Sequence, residues 1–197
     1  MAPDRIGLLG GTFDPPHAGH VAAARVCLTA LGLDRVLLVV ANHPWQKVPD
    51  RAITPAEDRF AMVAAAVEGE PGLVASRIEI DRGGPSFTID TVEELRQALP
   101  PPEVFVIIGA DLVGSLSTWE RHDELRRRVT LVVVGRPPGP VPPEPAGWSV
   151  VHVAGDGVDV SSSEVRRLLV SGLPVDGLVP EAVAGCIRQR GLYAVGG

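Results

Sequence analysis

Six runs of apolar residues punctuate the chain: 6–9 (IGLL), 35–41 (RVLLVVA), 73–80 (LVASRIEI), 104–109 (VFVIIG), 130–135 (TLVVVG) and 149–153 (SVVHV). Within each run apolar residues follow one another with little polar interruption, as in strands buried on both faces. Between the runs lie helix-period patterns at 18–31, 55–68, 90–99, 111–116, 122–128, 161–170 and 180–190. Strands alternating with helices predict right-handed crossovers and a doubly wound, mostly parallel α/β sheet. At 197 residues the chain has the size of one domain, spanning 1–197 with the helices of 161–190 packed on it.

Ligands of such sheets sit beyond the carboxyl ends of the strands, where strand order reverses. The loops at 10–20, 42–54, 81–88, 109–119, 136–147 and 154–163 are therefore expected to carry function. The stretch GRPPGPVPPEPAG (135–147) holds six prolines and reads as an irregular surface loop, not a domain boundary.

Composition narrows the partners. With 24 acidic against 18 basic residues the formal charge is −6, so no general electrostatic grip on nucleic acid or an anionic membrane is expected. Any bound phosphate must be held locally. The amino terminus MAPDRIGLL enters a strand directly and has no secretory h-region, and no apolar run reaches the roughly 20 residues of a membrane helix, which together point to the cytoplasm. Cys27 and Cys186 lack CxxC spacing and read as small buried hydrophobes without a disulfide.

The densest chemistry is GGTFDPPHAGH, from Gly10 to His20. Gly10 and Gly11 after the first strand are expected to let the backbone turn sharply and bring its amides to an anion, while Pro15 and Pro16 stiffen the path into the helix. There is no GxGxxG, no acid ending the second strand and no Gly-Lys-Ser/Thr, which speaks against a redox dinucleotide fold and a P-loop. His17 and His20 are three apart and would project from the first helical turn on one side, able to donate to phosphate oxygens. Capping and metal binding are the competing readings for this pair, although no third ligand stands at a zinc spacing.

SSSE at 161–164 reads as a capping box, with Ser161 as N-cap and Glu164 reaching back. Ser162 and Arg166 are four apart and share a face beside the positive helix end. A guanidinium there suits polyphosphate recognition.

GGTFDPPHAGH resembles the signature of the HxGH nucleotidyltransferase superfamily, and VSSSEVR (160–166) resembles its ISSTxxR element. DRGGPSFTIDTVEEL (81–95), GADLVGSLSTWERHDEL (109–125) and VVGRP (133–137) are similar to bacterial nicotinate mononucleotide adenylyltransferases, so the resemblance runs over nearly the whole chain. It implies a Rossmann-like nucleotidyltransferase fold and direct in-line transfer of the adenylyl group of ATP to nicotinate mononucleotide, giving nicotinate adenine dinucleotide and pyrophosphate.

The resemblance assigns His17, His20, Lys47, Arg136 and Arg166 to the developing phosphate charge, with Mg²⁺ bridging phosphate oxygens and no protein metal cage. Gly10, Gly11, Thr12, Phe13, Gly109, Ser161 and Ser162 would line the nucleotide site. For the acceptor it implies Trp119 stacked on the pyridine ring, and backbone amides around Thr88 on its carboxylate. Asp111 would accept from a ribose or simply cap a helix, and Trp119 has the alternative of being core.

The chain departs from the family's pattern at Pro16, at Glu120 after Trp119, and at HPWQK (43–47), which keeps Lys47. These departures leave nicotinate and nicotinamide mononucleotide both open as acceptor. A related transferase acting on pantetheine phosphate or a cytidylyl group would not need GGPSFT and STW. A non-catalytic nucleotide sensor would share the pocket, and a flavodoxin-like redox protein would leave both histidines without a task. Oligomeric state is not encoded in any recognisable motif, and a homo-oligomer is compatible with the sequence.

Overall fold

The computed structural model describes residues 2–44, 52–98, 100–135 and 143–193. Six strands form one sheet: β1 (Arg5–Gly11), β2 (Arg35–Val40), β3 (Leu73–Ser76), β4 (Glu103–Gly109), β5 (Thr130–Gly135) and β6 (Ser149–Ala154). Their order is β3-β2-β1-β4-β5-β6 and every neighbouring pair is parallel. The chain leaves β1 toward one edge and returns at β4 toward the other, so the strand order reverses between β1 and β4.

Pleating sorts the apolar runs onto two faces. Ile6 and Leu8, Leu37 and Val39, Val104, Val106 and Ile108, and Leu131 and Val133 build one cluster. Leu9, Val36, Leu38 and Val40, Phe105 and Ile107, and Val132 and Val134 build the other. Both faces are covered, which is why these runs lack alternation. Each buried Val, Leu or Ile contributes about 1.5–3 kcal/mol relative to exposure.

The second-named face is covered by α1 (Ala18–Ala30), α2 (Ala56–Val67), α6 (Ser162–Val170) and α7 (Glu181–Arg190). The first is covered by α4 (Thr88–Leu95), a 3₁₀ segment (Ala110–Thr118) and α5 (His122–Leu125). Cys27 lies in the core with its thiol pushed up to about 12 by burial, and both cysteines are free. No helix among the described residues is long and apolar enough to cross a membrane.

The structure corrects several boundaries. The run at 73–80 is a strand only to Ser76, and Ile78–Arg82 is a short helix, α3. Its R-I-E-I alternation resembles a strand, but Arg77 pairs with Asp81 one turn on at 2.7 Å, and Ile78 and Ile80 pack into opposite clusters. The pattern at 90–99 begins earlier, at Thr88, and its helix ends at Leu95. The pattern at 111–116 is 3₁₀, over Ala110–Thr118, and that at 122–128 keeps only His122–Leu125 helical.

Candidate active site

At the carboxyl ends of β1 and β4 opens a cleft of about 480 Å³. Its walls include Gly10, Gly11, Thr12, His17, His20, Thr88, Gly109, Asp111, Trp119, Ser161, Ser162 and Arg166. Residues named from four separate loops thus share one space. Lys47 and Arg136 lie outside the described residues.

The glycine loop differs from expectation in how it turns. Gly10 and Gly11 remain in β1, paired with Val39 and Val40, and the turn is made by Phe13, whose φ is +50°, followed by a cis Asp14–Pro15 peptide. A Cβ on Gly11 would lie 3.0 Å from the Phe13 ring, whereas one on Gly10 would meet only Leu8, at 3.8 Å. Gly11 therefore makes room for Phe13, and Gly10 leaves room in the cleft. Phe13 itself is 2% exposed and packs edge-on to His20 with ring centroids 4.9 Å apart, so its ring supports the site from beneath instead of lining it.

His17 and His20 stack with ring centroids 3.6 Å apart. The His17 backbone N–H donates to His20 Nδ1 at 3.1 Å. That hydrogen bond makes Nδ1 the acceptor, so in the neutral ring Nε2 carries the proton and is the donor.

The serine element packs directly on this loop. Ser162 Oγ donates to the Pro15 carbonyl at 2.9 Å, and Arg166 Nη1 donates to the Asp14 carbonyl at 2.6 Å. Arg166 Nη2 also donates to Ser163 Oγ at 3.0 Å. Ser161 Oγ accepts from the Glu164 N–H at 3.2 Å, which is the N-cap half of the expected box. Thus α1 and α6 start side by side, with their positive ends and first-turn amides on one cleft.

Asp111 is not a cap: Gly109 occupies the cap position of the 3₁₀ segment, and no side chain caps it there. Asp111 is exposed on the cleft wall. Trp119 is both core and lining, since it packs on the β4–β5 side of the core while forming part of the cleft. Its indole Nε1 is buried with no hydrogen-bond partner among the described residues. Thr88 opens α4, so the first-turn amides of that helix stand at the cleft wall.

Several supports escape motif reading. Arg59 on α2 is 1% exposed and donates to three carbonyls: Thr54 at 2.7 Å, Thr12 at 2.8 Å and Asn42 at 3.2 Å. Burial lowers its pKa, opposed by the nearby Asp14 carboxylate. The signal was Arg59 standing at the head of the stripe Met62, Val63 and Ala66, where an apolar residue belongs. Asp14, 2% exposed, accepts from Tyr193 Oη at 2.5 Å. Burial, reinforced by this hydrogen bond, raises the phenol well above its usual range.

The Asn42 N–H donates to Ser86 Oγ at 2.8 Å and the Ser86 N–H to the His43 carbonyl at 3.1 Å. Through Arg59 and Asn42 the glycine loop is therefore joined to the loop that enters α4. On the far side of α4, Thr91 Oγ1 donates to the buried Glu79 at 2.7 Å.

The Cytidylyltransferase-like family model matches residues 8–168. A Thermus thermophilus protein called probable nicotinate-nucleotide adenylyltransferase is 46% identical over 96% of this chain and 99% of its own length. The chain belongs to the nicotinate-nucleotide adenylyltransferase family. Another member, from Corynebacterium kroppenstedtii, is 40% identical over 98% of this chain and 92% of its own. The solved Plasmodium falciparum nicotinic acid mononucleotide adenylyltransferase complexed with NaAD shares the fold, with a TM-score of 0.79 at 16% identity, covering 96% of this chain and 97% of that one. In this chain the imidazoles of His17 and His20, the hydroxyls of Ser161 and Ser162 and the guanidinium of Arg166 collect at the two helix starts on one cleft. Among the described residues no group of three or more His, Cys, Asp or Glu side chains is placed to hold a metal ion.

Proposed function

We propose that this chain transfers the adenylyl group of ATP to nicotinate mononucleotide, releasing pyrophosphate and nicotinate adenine dinucleotide. The observation that carries this reading is the hydrogen-bonded union of the two sequence elements, Arg166 to Asp14 and Ser162 to Pro15, at the mouth of one cleft.

The mononucleotide phosphate oxygen attacks the α-phosphorus of ATP in line, and the bond to the bridging oxygen of pyrophosphate breaks. No covalent enzyme intermediate is required, because positioning and charge stabilisation suffice for phosphoryl-type chemistry. His20 Nε2–H, the Gly11 and Thr12 backbone, and Arg166 face the polyphosphate. His17 fixes the His20 ring by stacking and by its amide. Lys47 and Arg136 join them in this reading on the strength of the family resemblance. One such donor contributes about 3 kcal/mol to the transition state.

Mg²⁺ would arrive with ATP and would supply neutralising charge to the polyphosphate. The cation would be held by phosphate oxygens and water, as Mg²⁺ bound with a nucleotide usually is. On the acceptor side Trp119 offers its face to the pyridine ring and the start of α4 offers amides to the ring's carboxylate, with Asp111 accepting from a ribose hydroxyl.

The test is purified protein with ATP and Mg²⁺, offered nicotinate mononucleotide, nicotinamide mononucleotide and phosphopantetheine in turn, with pyrophosphate and dinucleotide both quantified. Stoichiometric pyrophosphate and nicotinate adenine dinucleotide are expected, with the highest kcat/KM for nicotinate mononucleotide. ATP binding without turnover would establish a sensor instead.

A further inference from the structure

An ion-pair cluster joins the two walls of the acceptor side. Arg121 follows Trp119 closely in sequence and has left-handed backbone, φ +49°, a conformation that favours glycine. Its guanidinium forks onto two carboxylates. Nη1 and Nη2 donate to Glu93 at 3.1 and 2.8 Å, while Nε and Nη2 donate to Glu124 at 2.9 and 2.8 Å. Asp90 stands 3.5 Å from Nη1. Arg128 closes the cluster from below, against Glu93 and, at 3.4 Å, Glu124.

Asp90 and Glu93 belong to α4, the helix that Thr88 opens. On its other flank α4 is already fixed, because Arg82 donates to Glu94 at 3.1 Å and to Thr91 at 3.0 Å. The segment facing α4 across this cluster is the one carrying Trp119, whose neighbours Leu116 and Leu125 are anchored in the core while its polar side meets α4 through Arg121. Backbone bonds tie it to Arg121: the His122 N–H donates to the Trp119 carbonyl at 3.2 Å, and the Glu124 and Leu125 amides donate to the Arg121 carbonyl.

We propose that Arg121 is a positioning residue for the acceptor: by gripping Glu93 and Glu124 together it sets the gap between the Trp119 indole and the Thr88 end of α4. The inference rests on the reading of Trp119 and Thr88 given above. The cluster is part-exposed, and exposed ion pairs add little to global stability. Its planar double fork specifies geometry instead, which a lysine point charge cannot reproduce. A flat aromatic acceptor seated between two walls is sensitive to displacements of this kind.

The experiment is steady-state kinetics on the full chain for Arg121→Ala, Arg121→Gly, Arg121→Lys, Glu93→Gln and the Arg121→Ala/Glu93→Gln pair, with melting temperatures alongside. The expected result is a rise of about 10-fold in KM for the mononucleotide, with KM for ATP moving less than about two-fold. The double variant is no worse than the worse single one, as for residues acting as a unit. Arg121→Lys recovers only part of the loss, and Arg121→Gly, which relieves the backbone without restoring the fork, recovers none. Parallel rises in both KM values, or lower melting temperatures with acceptor KM unaltered, overturn the proposal. Wild-type protein that turns over neither pyridine mononucleotide overturns the acceptor assignment and this inference with it. Active wild type with unaffected variants overturns this inference alone.

Discussion

Arg166 Nη1 lies 2.6 Å from the carbonyl oxygen of Asp14, across 152 residues of sequence. One guanidinium thus ties the serine helix to the turn that leads into the histidine helix, while still lining the cleft. Arg166→Ala should lower kcat about 100- to 1000-fold. It should also cost about 1–3 kcal/mol of stability, because the Asp14 carbonyl loses its donor. Arg166→Lys should keep charge but not the fork, and fall between. Turnover numbers and urea denaturation of the three proteins check this.

His20→Ala separates chemistry from scaffold. Its ring lies against Phe13 and His17, yet it is only part-buried. Turnover should fall about 100-fold or more, against a stability loss of about 0.5–2 kcal/mol as the His17 N–H loses its Nδ1 acceptor. Near-normal turnover would remove His20 from the transition state.

The two adjacent glycines should fail differently. A methyl on Gly10 has only Leu8 to meet, at 3.8 Å, and otherwise takes up cleft space. Gly10→Ala is expected to raise KM for ATP about 10-fold and leave the melting temperature unchanged. A methyl on Gly11 meets the Phe13 ring at 3.0 Å. Gly11→Ala should destabilise by about 1–3 kcal/mol, read as a lower urea midpoint.

Tyr193 is the sole tyrosine of the sequence, so its ionisation can be followed by tyrosinate absorbance without interference from another phenol. Burial and the Asp14 hydrogen bond raise its pKa above the ordinary value of 10.0. A raised folded pKa means that this group's stabilisation is complete below the unfolded value and fades as pH rises above it, because the unfolded chain loses the proton first. Native protein should therefore titrate later than denatured protein. Stability should decline above pH 10, and Tyr193→Phe should decline less steeply. Coincident native and denatured titrations would contradict the contact.

Arg59→Met leaves the carbonyls of Thr12, Asn42 and Thr54 without their shared donor. A loss of about 3–5 kcal/mol is expected, close to what a small domain can tolerate. Arg59→Lys should lose most of this as well, since one ammonium cannot span three carbonyls in a fixed fork. Chemical denaturation gives the values.

The parallel sheet was legible because Val36 to Val40 and Val104 to Ile108 are apolar without interruption, which only burial on both faces explains. The rule for open α/β sheets put the loops that lead to His20 and Ser162 at the carboxyl ends of strands, and the family resemblance joined them with Arg166 in one site. What escaped was long-range and polar. Arg59 is marked in the sequence only by its place at the head of the apolar stripe of α2, which does not reveal its three carbonyl partners, and Asp14 and Tyr193 meet across 179 residues. Arg77 to Asp81 carries an alternating pattern that fits a strand locally, while the helix that forms there brings Arg77 to Asp81 and the buried Glu79 to Thr91, a partner 12 residues away. Gly10 and Gly11 suggested a turn by composition, but the ladder with β2 keeps them extended and passes the turn to Phe13.

The central claim is that the starts of α1 and α6 grip a single polyphosphate. A crystal structure of the protein with a non-hydrolysable ATP analogue and Mg²⁺ tests it most directly. The account predicts phosphate oxygens within hydrogen-bond distance of the Gly11–Thr12 backbone, of His20 Nε2 and of Arg166 at once. A polyphosphate seated away from either helix start, with His20 and Arg166 contacting no phosphate, would contradict it.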